Sequence, residues 1–247
     1  MHKVTILGVQ IDSFTNEELK QKLEQYLFDQ KPHLIVTPNP EFCIQATRDH
    51  EFRDILNSAS LAIPDGVGLK FAGWYLGQPI ARRVTGVSLV EELCRQARDK
   101  NLSVFFLGAL NNIAHRTAVN MMEKYPGLHV VGAENEYDFL GRKRSDNALV
   151  ARINRKKPAI LFLAFGAPAQ EKWLARNLQY FETVKIAVGV GGSFDYLSGQ
   201  VRRAPVVMRS LGLEWLYRLM KQPWRIRRIY RAVIVFPMKV IISKFFQ

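Results

Sequence analysis

Short apolar runs alternate along this chain with longer stretches in which apolar residues recur at helical spacing. Runs at 4–9, 34–36, 61–63, 103–107, 129–133, 159–164 and 185–190 read as strands, and 159–164 is the strongest of them. Thr15-Asn16-Glu17-Glu18 is a capping box ahead of Leu19, Leu23 and Leu27. Further helices are expected over 42–58, 67–76, 87–100, 111–125 and 143–157, with another opening near Pro168. Strand–helix alternation with short joins predicts an α/β fold, a mostly parallel sheet covered by helices on both faces. From about residue 201 the pattern changes to a basic, aromatic, helical tail, so the chain divides into 1–200 and 201–247.

Candidate chemistry gathers where strands end, the edge at which open α/β sheets bind ligands. The run at 61–63 delivers Pro64-Asp65-Gly66-Val67-Gly68, which holds one carboxylate on a sharp turn. Asp65 suits a general base, and it equally suits the cap of the helix that begins near Gly66. Thr37-Pro38-Asn39-Pro40-Glu41 is a stiff polar exit in which Asn39 fits either a ligand contact or an Asx-turn. Arg83, beside Thr85-Gly86, fits a phosphate at a helix N-terminus or a solvated surface position. Gln170 can donate and accept toward a sugar or base from the mouth of its helix. Gly189-Val190-Gly191-Gly192 offers backbone N–H groups to an anion, or is a tight strand-to-helix turn packed on the sheet. It fails the G-x-G-x-x-G fingerprint, because the third glycine position falls on Phe194, and no P-loop motif is present.

Charge sharpens the reading of the partners. The 247 residues carry 35 Lys+Arg against 22 Asp+Glu, a net +13, which favours anionic partners. Between 213 and 247 eight basic residues face one acid, Glu214, interleaved with apolar and aromatic side chains from Trp215 to Phe246. Such a segment suits a helix lying in a membrane interface; a nucleic-acid patch and a helix folded back on the domain are the alternatives. Aliphatic residues dominate its end, so an anionic membrane surface is expected and nucleic acid is not. The exposed apolar tail also allows self-association into a homo-oligomer. Cys43 and Cys94 form no paired motif, the N-terminus has no signal-peptide layout and no run is long enough to span a bilayer, so a cytoplasmic protein is expected. No Asp-x-Asp occurs and the five histidines show no ligand spacing, so neither metal nor cofactor is expected. A Rossmann enzyme of another class would show an early glycine fingerprint, and a non-enzymatic binder would give Asp65, Asn39 and Gln170 no purpose.

Six stretches carry a family resemblance: Thr37 to Glu41, Pro64 to Gly68, Arg83 to Gly86, Gly166 to Trp173, Gly189 to Asp195, and Arg203-Ala204-Pro205 with Glu214-Trp215-Leu216-Tyr217-Arg218-Leu219. Together and in this order they resemble the TagA/WecG/CpsF glycosyltransferases, glycosyltransferase family 26, over nearly the whole chain. The resemblance implies a Rossmann-like domain with a C-terminal appendage that docks on the inner membrane face. It implies a metal-independent, inverting transfer from a UDP-sugar donor to a polyprenyl-diphosphate-linked GlcNAc, in the manner of the N-acetylmannosaminyltransferases of teichoic acid synthesis. By position it makes Asp65 the base, Thr37 and Asn39 its polar pocket, and Arg83 and Gln170 substrate contacts, while Arg218, Arg225 and Arg228 reach diphosphates. A uronic acid or hexose donor within the same family is the alternative.

Overall fold

Six parallel strands form the central sheet of the computed structural model, which describes residues 1–135, 146–210 and 212–244. They are β3 (His33–Val36), β4 (Leu61–Ala62), β5 (Ser103–Gly108), β6 (His129–Glu134), β7 (Ile160–Ala164) and β8 (Ile186–Gly189). Their order is β4-β3-β8-β7-β5-β6, so the last strand in sequence sits beside the first strand of the sheet. Alternate residues of each strand feed opposite cores, as the two-residue period of a strand requires. On β5 and β7, Phe105, Leu107, Leu161 and Leu163 enter one core, while Val104, Phe106, Ile160 and Phe162 enter the other.

Helices cover both faces. The first core is closed by α2 (Pro40–Ala46), α3 (His50–Ser58), α4 (Val67–Tyr75), α7 (Asp146–Lys156) and α8 (Ala169–Asn177). The second is closed by α1 (Asn16–Phe28), α5 (Gly86–Asp99), α6 (Ile113–Lys124) and α9 (Ser193–Leu197). The capping box forms as its spacing predicts: Thr15 Oγ1 accepts from Glu18 N and Glu18 Oε2 accepts from Thr15 N.

Two local readings need correction. The expected strand at 4–9 is a hairpin of β1 (His2–Ile6) and β2 (Val9–Ser13), turned by Leu7 and Gly8 with φ of 49° and 81°. Two positive φ values make the tight turn whose twist matches paired strands, and leucine is an unusual residue for the first of them. The expected helix at 42–58 is two helices. Asp49 accepts from Phe52 N and caps α3, so the chain breaks after α2 although the apolar spacing runs on. The first residues of the helix expected over 143–157 lie outside the described residues, as do Phe245 and Phe246.

The hairpin is clipped to the sheet's edge. Asp12 Oδ2 accepts from Ala62 N at 2.8 Å, taking up an N–H of the two-residue strand β4, and Lys3 lies 3.4 Å from the other carboxylate oxygen. β4 is thereby held from both sides, and it is the strand that leads to Asp65.

Beyond residue 201 come α10 (Val206–Ser210), α11 (Glu214–Lys221), α12 (Ile226–Tyr230) and α13 (Phe236–Lys244), the last two joined by a π-helical stretch, Arg231–Val235. Phe236 and Val240 of α13 are fully buried in the first core, with the Phe236 ring against Gly68. Among the described residues no helix is long and apolar enough to cross a membrane.

Candidate active site

Backbone hydrogen bonds bring the exits of β3 and β4 to one edge. Ile63 N donates to Val36 O and Asp65 N donates to Pro38 O, both at 2.8 Å, and Val84 N donates to Pro64 O at 3.0 Å. The Asp65 turn is therefore laced to the prolines before α2 and to the loop before α5. Gly66, at φ 100°, makes the bend that starts α4.

Asp65 does not cap α4, whose N-cap Gly66 has no side-chain partner. Its carboxylate faces α5 instead, with Oδ2 accepting from Gly86 N at 3.4 Å. Desolvation pushes its pKa up to about 6; Glu214 adds to the rise, while the Gly86 N–H, Arg83 and Arg218 oppose it. A carboxyl poised there accepts a proton near neutral pH far better than an ordinary aspartate does. Arg83, in the loop before α5, and Arg218, on α11 of the tail, both act on the Asp65 carboxylate through their charge.

Thr37 and Asn39 stand at the β3 exit with their polar atoms engaged. Thr37 Oγ1 donates to Gly189 O at 3.3 Å, and Asn39 Oδ1 accepts from Phe42 N at 3.1 Å, capping α2. Gln170 is buried and hydrogen-bonded at both amide atoms. Its Oε1 accepts from Gly166 N at 3.1 Å and Gly191 N at 3.2 Å, and its Nε2 donates to Glu171 Oε1 at 2.6 Å. One amide thus ties together the loops that leave β7 and β8. Burial pushes the Glu171 carboxyl up to about 7, and its Oε2 has no hydrogen-bond partner.

The glycines that end β8 and follow it make room for neighbouring side chains. Gly191 N is taken by Gln170. A Cβ at 189 would lie 2.6 Å from Gln170 Nε2, and one at 192 would lie 2.9 Å from Arg218 Nη2. Gly189 and Gly192 therefore let a glutamine and an arginine pack directly on the turn.

The tail supplies cations over that turn. Arg218 lies over the Tyr196 ring at 5.2 Å. Burial, with Arg218 and Arg228 nearby, pushes Arg225 below its ordinary pKa, while Asp195 opposes the shift. The Nε atoms of Arg203, Arg218 and Arg225 are buried without hydrogen-bond partners. An anion placed here would gain donors already stripped of water. Arg228 differs from these three in having its Nε paired: its guanidinium donates twice to Glu41, at 2.6 and 2.8 Å. Glu214 lies 3.9 Å from Arg203 Nε, and Arg203 Nη2 donates to Thr85 Oγ1 at 3.4 Å, so the linker meets the α5 cap beside Asp65. A groove of about 510 Å³, lined by Asp195, Tyr217, Lys221 and Trp224 among others, opens next to these residues.

A carboxyl at a strand exit, an amide-clamped glycine turn and a cationic tail make a site suited to a group transfer whose leaving group is an anion. Residues 4–247 match the Glycosyl transferase WecG/TagA/CpsF family, and the chain belongs to that family. Among its relatives are proteins of Staphylococcus aureus strains MRSA252 and MW2, each named N-acetylglucosaminyldiphosphoundecaprenol N-acetyl-beta-D-mannosaminyltransferase. Each is 32% identical over 244 residues, covering 98% of this chain and 93% of the relative.

Sequence reasoning missed Glu171, Gly86 and Glu214 as parts of the site. Gly86 and Glu171 adjoin residues already singled out, but their roles arise from burial and from partners distant in sequence. Glu214 carried one signal, as the lone acid among eight basic residues of the tail.

Proposed function

We propose that this protein transfers N-acetylmannosamine from a UDP donor to GlcNAc-diphosphoundecaprenol, with inversion and without a metal, in the synthesis of a teichoic acid-type surface polymer. The observation that carries the proposal is the Asp65 carboxyl, with a pKa raised to about 6 at a strand exit, beside cations from the tail. The relatives' names supply the sugar and the acceptor.

In this reading Asp65 takes the proton of an acceptor hydroxyl as that oxygen attacks the donor's anomeric carbon. The new C–O bond forms as the bond to UDP breaks, and UDP leaves with the electron pair. One carboxylate suffices, because inversion is a single displacement. Arg218 and Arg225 stabilise charge growing on the leaving diphosphate, work that a bound metal performs elsewhere. Thr37, Asn39 and Gln170 hold the walls of the pocket, and Arg83 either orients Asp65 or meets the acceptor's diphosphate. The tail docks on the anionic inner face of the plasma membrane, where the acceptor's lipid is anchored, each Lys or Arg near the surface contributing about 1 kcal/mol.

The test is UDP release from a panel of UDP-sugars, with and without a lipid-diphosphate GlcNAc acceptor and with and without EDTA. Acceptor-dependent release, greatest with UDP-N-acetylmannosamine and unchanged by EDTA, is expected. A preference for a uronic acid or hexose donor would replace the substrate and keep the chemistry, and loss on adding EDTA would overturn the metal-free step.

A further inference from the structure

Helix α4 leaves the Asp65 turn with an apolar stripe facing outward. Val67, Phe71 and Trp74 are 43%, 44% and 69% exposed, and their spacing puts them on one side of the helix. The inner side is satisfied: Leu69 and Ala72 are fully buried, and Gly68 meets the Phe236 ring. α13 packs beside α4, with Lys244 Nζ donating to Tyr75 O at 2.9 Å and lying 4.6 Å from the Tyr75 ring. α13 likewise exposes Met238, Ile241 and Ile242 while burying Phe236 and Val240. The two helices thus present neighbouring apolar strips.

The charges carried on these two segments have one sign, and the nearby acid Glu41 is paired with Arg228. From Gly66 to Arg83 the chain carries Lys70, Arg82 and Arg83 and no acid. α13 adds Lys239 and Lys244, also with no acid. Apolar strips on helices whose own charges are all cationic match an anionic bilayer interface.

We propose that α4 of the catalytic domain, and not the tail alone, enters the headgroup region of an anionic bilayer through Val67, Phe71 and Trp74. This rests on the reading of the tail as membrane-docking. α4 begins two residues after Asp65, so lipid contact along its stripe sets the height of the base above a lipid-anchored acceptor. The tail then supplies attraction and α4 supplies register.

The full-length chain is tested by co-sedimentation with vesicles of phosphatidylcholine, with or without phosphatidylglycerol. Phe71→Ser/Trp74→Ser should weaken binding to the anionic vesicles by roughly tenfold or more, and Trp74→Ser alone by less. Phe28→Ser, which removes a 65% exposed aromatic from α1 under the opposite core, should change nothing. The altered side chains are exposed, so melting temperature should hold, and so should UDP release with a short-chain, water-soluble acceptor. Undiminished binding by the double variant would overturn the role of α4 and leave the tail as the sole anchor. Failure of the unaltered chain to bind anionic vesicles would overturn the membrane reading itself. A wild-type dimer that the double variant splits, with vesicle binding unchanged, would give the stripe to a second copy of this chain and overturn the proposal.

Discussion

Replacing Asp65 with asparagine separates the cost of the site from its use. The amide oxygen can still accept from Gly86 N, and the backbone bond from residue 65 to Pro38 O is untouched, so the turn is preserved. What disappears is a carboxylate whose pKa is raised from 3.8 to about 6, chiefly by desolvation. A group raised in this way makes the folded state lose stability as pH climbs from about 4 through about 6, with the whole cost present above that. The difference corresponds to up to about 3 kcal/mol, trimmed toward about 1 kcal/mol by the water that reaches the partly exposed carboxyl. Asp65→Asn should therefore melt higher than the parent at pH 8, by a few degrees for a chain of this length, and level with it near pH 4. Turnover should fall by roughly 10²–10⁴, the usual contribution of a general base, and the parent's kcat/KM should rise with pH through about 6. Calorimetry at the two pH values, together with a pH–rate profile on the natural-type acceptor, measures both. A variant that melts lower at pH 8, or one that keeps most of its turnover, would refute the reasoning.

Three further outcomes are expected. Gln170→Ala leaves the Gly166 and Gly191 N–H groups without their acceptor and should cost about 2–4 kcal/mol in denaturant unfolding, with a raised donor KM. Arg225→Ala removes a cation crowded by Arg218 and Arg228, so steady-state kinetics should show KM for donor or acceptor up by tenfold or more while the melting temperature does not fall. Phe236→Ala opens a cavity where α13 meets α4 and should cost about 3–5 kcal/mol, with limited proteolysis then cutting first beyond residue 201.

Much of the architecture was legible because it depends on period and punctuation. Apolar runs ending in glycine or proline marked the parallel strands, and the same punctuation put Asp65, Thr37 and Gln170 at strand exits. What was not legible depended on single backbone angles or on partners far along the chain. Leu7 hid the hairpin, since an apolar residue at positive φ leaves the run of Val4 to Val9 unbroken. Asp49 opens α3 inside a stretch whose apolar spacing continues. That Gly189 and Gly192 make room for Gln170 and Arg218 depends on partners that no local pattern shows. Arg228 is one of several tail arginines in the sequence, and what sets it apart is Glu41, 187 residues away, against its guanidinium. Asp65 reads from sequence as a base or a helix cap, and the helix it faces is α5 rather than the one that follows it.

The most direct measurement of the proposed chemistry is the anomeric configuration of the product made from α-linked UDP-N-acetylmannosamine and a lipid-diphosphate GlcNAc, read from the one-bond carbon–hydrogen coupling at the transferred sugar's anomeric carbon. A single displacement assisted by Asp65 predicts a β-linked disaccharide, formed by the parent and all but lost in Asp65→Asn. An α-linked product, or β-linked product made equally well by the variant, would contradict it.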